Sequence, residues 1–166
     1  MTVAVNVSAA ELSERDFVER LETILSTTGA EPAHLCLELT ESGLMHDAEA
    51  ATAQLQALGK LGVRLAIDDF GTGYSSLAYL SRFPVDVVKV DRAFVDGLAK
   101  RANDRALVAA ITSMGHALEL TVIGEGVETE EQLDVLRELR CDVAQGYHFA
   151  RPAPAEAIEA MLSVPA

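Results

Sequence analysis

Asp68 and Asp69 are adjacent carboxylates that follow a short apolar run and precede a loop containing Gly71 and Gly73. Neighbouring carboxylates repel each other and burial raises their pKa, so bound cations would stabilise such a pair. A carboxylate that bridges two ions, with its neighbour on the second ion, is common in two-metal sites. The alternative, that the pair caps the next turn and helix, stays open. The glycines favour ligand binding because they allow close backbone approach.

Side chains with possible chemical roles also follow the other apolar runs. They are Asn6, Glu38 with Glu41, Lys89 with Asp91, Glu125 with Glu128, and Gln145. Glu38 alternates with Cys36, so it points inward if Cys36 does, and a carboxylate in a core needs a partner or a metal. Glu41 fits better as a residue that holds a loop or helix start by hydrogen bonds. Asn6 is either a neutral oxygen ligand or a turn residue.

The residues from Lys89 onward allow competing interpretations. Lys89 and Asp91 share a strand face and could form a buried salt bridge, or Lys89 could act on a reacting phosphate or its attacking water. Glu128 could simply favour the N-terminus of the following helix. Glu125 lies nearer the strand end and is the better ligand candidate, and Gln145 could orient a water molecule.

The candidate ligands are oxygen atoms accompanied by one lysine, and the four histidines show no metal-ligand spacing. Hard oxygen ligands suit Mg²⁺ or Mn²⁺ rather than Zn²⁺. Metal ions and Lys89 acting on an anionic substrate indicate metal-assisted phosphoester hydrolysis. A carbon–carbon lyase is a second possibility, for which Lys89 is the core candidate to form a Schiff base.

Six short apolar runs predict the strands that would carry these groups, over residues 3–7, 35–39, 64–67, 87–90, 121–123 and 142–144. Helical stripes lie between them, as at Phe17, Leu21 and Leu25, and Thr129 with Gln132 forms a capping box. Further helices are expected near residues 48–58 and 107–118 and after residue 154. Helix exits or turns are expected at Gly59, Gly62 and Gly115.

The alternation of strands with helices predicts an α/β fold with a parallel sheet. Length favours a doubly wound open sheet, because a full (β/α) barrel typically needs about 250 residues. The polar groups favour a barrel, because they follow all six strands and barrel strand ends converge on one mouth. In an open sheet, ligand groups cluster at one switch point instead. We therefore expect a TIM-like (β/α) barrel.

The excess of acidic residues limits the classes of molecule that the chain could bind. There are 13 basic and 26 acidic residues, a net charge of -13, which argues against binding to a nucleic-acid polymer. The same field would repel a phosphorylated ligand unless divalent cations reverse its local sign. Two cysteines outside any CxxC pattern predict reduced thiols in a cytoplasmic protein. The sequence shows no signal peptide and no apolar run long enough for a membrane span, so no membrane contact is expected.

Taken in order, the motifs resemble those of a known family. They are Asn6-Val7-Ser8, Glu38-Leu39-Thr40-Glu41-Ser42, Asp68-Asp69-Phe70-Gly71-Thr72-Gly73, Lys89-Val90-Asp91, Glu125-Gly126-Val127-Glu128 and Gln145-Gly146-Tyr147. Over essentially its whole length, the chain is similar to the EAL family of cyclic-di-GMP phosphodiesterases. The resemblance implies a modified TIM barrel that cleaves cyclic di-GMP to linear pGpG with Mg²⁺ or Mn²⁺, two ions per site.

The resemblance also implies roles for individual residues. Asn6, Glu38 and Asp68 would bind the first ion. Asp68 would bridge to the second ion, with Asp69 and Glu125 completing that site.

The same motif match assigns supporting roles. Lys89 would position and polarise the attacking water, and Gln145 would support the water and ligand network. Glu41 would anchor the loop of residues 70–76, which in this family couples dimerisation to metal binding. A homodimer through the helix near residues 103–111 is expected, as is a fused or associated sensor or GGDEF domain.

The family's Glu-Ala-Leu segment would stand upstream of Asn6 and supplies a glutamate to the first metal site. We therefore expect residues 1–166 to be a single, N-terminally truncated domain with about six of the eight barrel strands. Two functions stay open on this basis. The chain is either an active phosphodiesterase or a catalytically inactive EAL-type module that binds cyclic di-GMP or a protein partner.

Overall fold

The computed structural model describes residues 1–45, 47–72 and 80–162 of the chain. Within these ranges, six strands form one parallel sheet and follow one another in the order of the sequence. They are β1 (Val3–Asn6), β2 (Leu35–Thr40), β3 (Arg64–Phe70), β4 (Val87–Val90), β5 (Thr121–Gly124) and β6 (Val143–Ala144). β1 and β6 form the two edges of this sheet.

The strand order distinguishes between the two architectures that the sequence allows. A doubly wound sheet reverses its strand order at a switch point. Here each strand pairs in parallel with the next strand along the chain. The prediction of an incomplete (β/α) barrel with six strands is therefore confirmed.

The described helices are of two kinds: those of eight or more residues agree with the apolar periodicity, and those of four or five residues are not predicted by it. In chain order, the helices are α1 (Ala9–Leu12), α2 (Phe17–Thr28), α3 (Glu41–Met45), α4 (Ala48–Lys60), α5 (Arg92–Val95), α6 (Ala102–Ala117), α7 (Glu130–Glu138) and α8 (Ala155–Leu162). The predicted capping box opens α7: the Gln132 amide donates to Thr129 Oγ1 at 3.2 Å, and the Thr129 amide donates to Gln132 Oε1 at 3.0 Å. In the part of the chain that the structure describes, none of these helices combines the length and apolar character needed to cross a bilayer.

The two faces of the sheet carry different side chains. One face packs Leu65 and Val88 against helix residues such as Leu55, and all three are fully buried. Burying one such side chain contributes roughly 2 kcal/mol. The alternate residues point to the opposite face, where they form a separate small cluster. Its members are Cys36, Ala66 and Val87, with Ile123 packed against them. This second face is the inner face of the barrel.

Gly115 does not end a helix, so that prediction is wrong. It lies within α6, where a Cβ atom would stand 2.5 Å from Val122 Cγ2. Its missing side chain therefore allows α6 to pack closely on β5. Gly62, by contrast, lies in the turn that follows α4 and has a φ of 86°.

Candidate metal centre

Four charged side chains form the next layer of the inner face, towards the carboxyl ends of the strands. They are Glu38, Asp68, Lys89 and Glu125, which stand two residues beyond Cys36, Ala66, Val87 and Ile123 respectively. Side chains two residues apart on a strand share a face. The small apolar cluster thus forms a floor beneath the charged layer.

Lys89 lies at the centre of this layer. Its Nζ is 2.8 Å from Glu38 Oε2, 3.1 Å from Asp68 Oδ1 and 2.7 Å from Glu125 Oε1. An ammonium group has three donors, so each of them has a carboxylate partner. Burial favours a lower pKa for Lys89, but hydrogen bonds to Glu125 and Glu38 outweigh it and the pKa is raised. Lys89 is therefore a permanent buried cation.

Asp68 and Asp69 are consecutive residues of β3, and a regular strand would point them to opposite faces. The pairing of β3 with β4 shifts register between Ile67 and Phe70, and Asp69 has a φ of 55°. A β-bulge of this kind redirects a side chain, and aspartate tolerates the left-handed conformation better than most residues. Thr72 Oγ1 donates to the Asp69 carbonyl at 2.9 Å and holds the bulge.

The bulge brings both aspartates to one site. Oxygen atoms of Asp68, Asp69 and Glu125 lie within 4.8 Å of one another. Burial, with the Asp68 charge adding to it and Lys89 opposing it, raises the pKa of Glu125 to about 7. Burial raises the pKa of Asp69, and a hydrogen bond with Asp91 and the negative charge of Asp68 raise it further. The single charge of Lys89 thus leaves excess negative charge, and this set of oxygen donors fits Mg²⁺ or Mn²⁺.

Asn6 and Gln145 flank this cluster on opposite sides. Asn6 ends β1 and pairs in register with Glu38. Gln145 follows β6. Its backbone amide donates to the Gly124 carbonyl at 2.9 Å, and its backbone carbonyl accepts from the Val127 amide at 3.0 Å. Both side chains are exposed. Asn6 thus lies next to Glu38 on β2, and Gln145 lies next to the segment that carries Glu125.

Glu41 contacts the backbone just beyond the aspartate pair. It is the first residue of α3, it is buried, and its Oε2 accepts a hydrogen bond from the Gly71 amide at 3.0 Å. Its buried Oε1 has no hydrogen-bond partner among the described residues. Of the loop that Glu41 is expected to anchor, residues 70–72 are described, and residues 73–76 lie outside the described residues.

Asp91 and Glu128 lie at the rim rather than beside Lys89. Asp91 Oδ1 accepts from the Ala93 amide at 2.7 Å and caps α5. The buried salt bridge between Lys89 and Asp91 is therefore not the arrangement in the described structure. Glu128 Oε1 accepts from Arg92 Nη2 at 2.7 Å and links the segment between β5 and α7 to the start of α5.

Comparison with known proteins agrees with this geometry. A family model for the EAL domain matches residues 1–152. The chain belongs to the EAL domain family. This EAL domain is 44% identical over 161 residues to the bifunctional diguanylate cyclase/cyclic di-GMP phosphodiesterase MucR of Pseudomonas aeruginosa, covering 97% of the chain and 24% of MucR. It is 44% identical over 162 residues to the cyclic di-GMP phosphodiesterase NbdA of the same species, covering 98% and 21%. The chain thus spans about a quarter of the length of these curated relatives.

Solved EAL structures share this fold. The MucR phosphodiesterase in its cyclic di-GMP complex matches with a TM-score of 0.91 and 44% identity, over 95% of this chain and 64% of that chain. The EAL domain of Mycobacterium smegmatis DcpA matches with a TM-score of 0.93 and 37% identity, over 99% of this chain and 75% of that chain. The manganese/cyclic di-GMP complex of Klebsiella pneumoniae BlrP1 matches with a TM-score of 0.86 and 35% identity, over 92% of this chain and 39% of that chain.

Proposed function

We propose that this EAL domain is a phosphodiesterase that hydrolyses cyclic di-GMP to linear pGpG, with two Mg²⁺ or Mn²⁺ ions per site. The observation that carries the proposal is the layer of three carboxylates around Lys89, with Asp69 brought beside it by the bulge. The names of MucR and NbdA support the substrate, and the manganese complex of BlrP1 supports the metal.

The charge of the site supports the metal requirement independently of the relatives. A phosphodiester is anionic, and the uncompensated carboxylates around Lys89 would repel it. Bound divalent cations reverse that field and act as Lewis acids on phosphoryl oxygens. Asn6, Glu38, Asp68, Asp69 and Glu125 are the residues that would hold the two ions.

The reaction adds one water across one phosphodiester. The water oxygen forms a bond to phosphorus, the P–O3′ bond breaks, and the leaving ribose oxygen takes a proton. Lys89 has all its donors on carboxylates. Lys89 therefore acts on the attacking water or the phosphate only when one carboxylate gives up its hydrogen bond. Gln145, exposed beside the Glu125 loop, is proposed to orient the water.

We also propose that residues 1–166 form one EAL domain that is fused to or associated with another domain, works in the cytoplasm and forms a homodimer. The relatives are about four times longer, which supports fusion to a sensor or GGDEF domain. Cys36 and Cys141 are free thiols, which suits the reducing cytoplasm. Leu107 is partly exposed on α6, which supports a homodimer through that helix.

Incubation of the chain with cyclic di-GMP and Mn²⁺, followed by chromatography of the nucleotides, tests the activity. We expect pGpG from the wild type, little from Lys89→Met, and wild-type levels from Lys100→Met, which removes an exposed lysine. Calorimetry with cyclic di-GMP tests the second candidate, a binding module. All four residues of β1 are exposed at the sheet edge, next to the strand of Glu38, and this favours that candidate. Binding without pGpG at saturating Mn²⁺ would establish it and refute the enzyme.

A further inference from the structure

Two aspartates clamp the sheet at its amino end, opposite the charged layer. Asp86 directly precedes β4. Its Oδ2 accepts from the Leu65 amide at 2.8 Å, and its own amide donates to the Leu65 carbonyl at 2.9 Å. Asp142 directly precedes β6 and repeats the arrangement: its Oδ2 accepts from the Val122 amide at 2.8 Å, and its amide donates to the Val122 carbonyl at 3.1 Å.

Each clamp stands where a strand ladder begins. Regular parallel pairing starts only one residue later, at Val87 in β4 and at Val143 in β6. In a parallel pair, the backbone amide and carbonyl of one residue bond to two different residues of the neighbouring strand. The aspartate carboxylate therefore takes the place of the carbonyl that an earlier residue of the strand would offer.

The clamps have a fixed spacing to the site. In each of the four segments, a site residue follows the clamped position by three residues. At the first clamp, Asp68 follows Leu65 and Lys89 follows Asp86. At the second clamp, Glu125 follows Val122 and Gln145 follows Asp142. Each clamp thus fixes the register between two strands that both carry site residues. A slip of one residue would turn those side chains to the other face.

We propose that Asp86 and Asp142 are positioning residues, which set the strand register and so hold Asp68 against Lys89 and Glu125 beside Gln145. The inference rests on the proposed function where it concerns metal binding. Neither residue touches the charged layer, so both act through the backbone of their neighbours. Asp142 also lies 3.1 Å from His116 Nε2, which makes Asp86 the cleaner of the two to test.

The test compares Asp86→Ala with Asp86→Asn, whose amide oxygen can still accept from Leu65. Leu58→Ala is the control, because it destabilises the core from a fully buried helix position and leaves both clamp aspartates in place. Calorimetry measures Mn²⁺ affinity of the folded chain, and NMR measures the shift of the Lys89 ammonium without metal. We expect Asp86→Ala to weaken Mn²⁺ binding about tenfold to hundredfold and to move the Lys89 signal. Asp86→Asn should restore both, and Leu58→Ala should change neither.

Asp142→Ala should weaken Mn²⁺ binding in the same way, whereas His116→Ala should not, because it removes only the contact between the His116 ring and Asp142. Wild-type Mn²⁺ affinity and an unmoved Lys89 signal in both alanine variants would overturn the proposal. So would equal losses in Asp86→Ala and Leu58→Ala. If the wild type itself bound no Mn²⁺, the metal part of the proposed function would fail, and the Lys89 signal would still decide whether the clamps position the site.

Discussion

Lys89 Nζ lies 2.7 Å from Glu125 Oε1, a contact that joins β4 to the segment following β5. The same nitrogen bonds Glu38 of β2 and Asp68 of β3. One cation thus gathers carboxylates from three other parts of the sheet. Since Lys89 is buried, solvent and salt screen these contacts less than they screen surface ion pairs. The lysine therefore shapes the cluster before any ligand binds.

Removing this charge should destabilise the metal-free chain. In Lys89→Met, three partly buried carboxylates lose their shared partner, and breaking a buried ion pair typically costs about 3–5 kcal/mol. Urea unfolding in the presence of a chelator measures the change. Lys100→Met, at an exposed position, should remain within about 0.5 kcal/mol of the wild type. Equal stability of Lys89→Met and the wild type would show that Lys89 does not hold the cluster together.

The raised pKa of Glu125 predicts a specific pH dependence of the metal-free chain. The pKa is about 7 in the folded chain and near 4.5 for an ordinary glutamate, so the folded state binds the proton more tightly. This contribution to stability is complete below about pH 4.5 and is lost as the pH rises through about 7. The pKa difference corresponds to a few kcal/mol at most.

Glu125→Gln cannot titrate and should remove that dependence. Between about pH 5 and pH 8, the free energy of unfolding should fall more in the wild type than in Glu125→Gln. Urea unfolding with a chelator, at several pH values, checks this. Glu128→Gln is the control, because Glu128 pairs with Arg92 at the exposed rim. Parallel pH profiles for the wild type and Glu125→Gln would contradict the prediction.

The bulge at Asp69 can be tested with two substitutions. Asp69→Asn keeps a residue that tolerates a positive φ and removes an unfavourable charge, so the metal-free chain should be as stable as the wild type or more stable. Asp69→Val introduces a β-branched residue at a φ of 55° and should cost about 1–3 kcal/mol. Thermal unfolding with and without Mn²⁺ measures both effects. Mn²⁺ should stabilise both variants less than the wild type. Stabilisation of Asp69→Asn equal to that of the wild type would exclude Asp69 as a ligand.

The sequence predicts most of the fold and the membership of the charged layer. The strands and the alternation of Glu38 with Cys36 follow directly from periodicity, and parallel strands bring their carboxyl ends together. Periodicity could not predict the bulge at Asp69, because a bulge depends on the pairing of β3 with β4. It also could not predict that Lys89 pairs across strands rather than with Asp91, since that choice depends on register. The close approach of Gly115 to Val122 is a tertiary contact, so the position of the glycine along the chain does not reveal it.

Glu41 should hold the backbone after the aspartate pair. Glu41→Ala leaves the Gly71 amide without its acceptor, at a cost of about 1–3 kcal/mol, and exchange of that amide hydrogen should become faster. Glu41→Gln retains an acceptor oxygen and should preserve most of the protection. Hydrogen exchange by NMR measures the Gly71 amide directly. Glu49→Ala, an exposed substitution on α4, is the control. Unchanged exchange at Gly71 in Glu41→Ala would rule out the anchor.

Hydrolysis in water labelled with oxygen-18 tests the central claim most directly. The chain is incubated with cyclic di-GMP, with Mn²⁺ or with a chelator, and the product is analysed by mass spectrometry. We predict pGpG carrying one oxygen-18 atom on its terminal phosphate, formed with Mn²⁺ and not with the chelator, and strongly reduced in Asp68→Asn. Unlabelled product, or labelled product formed equally with the chelator or by Asp68→Asn, would contradict a metal-dependent phosphodiesterase centre around Lys89.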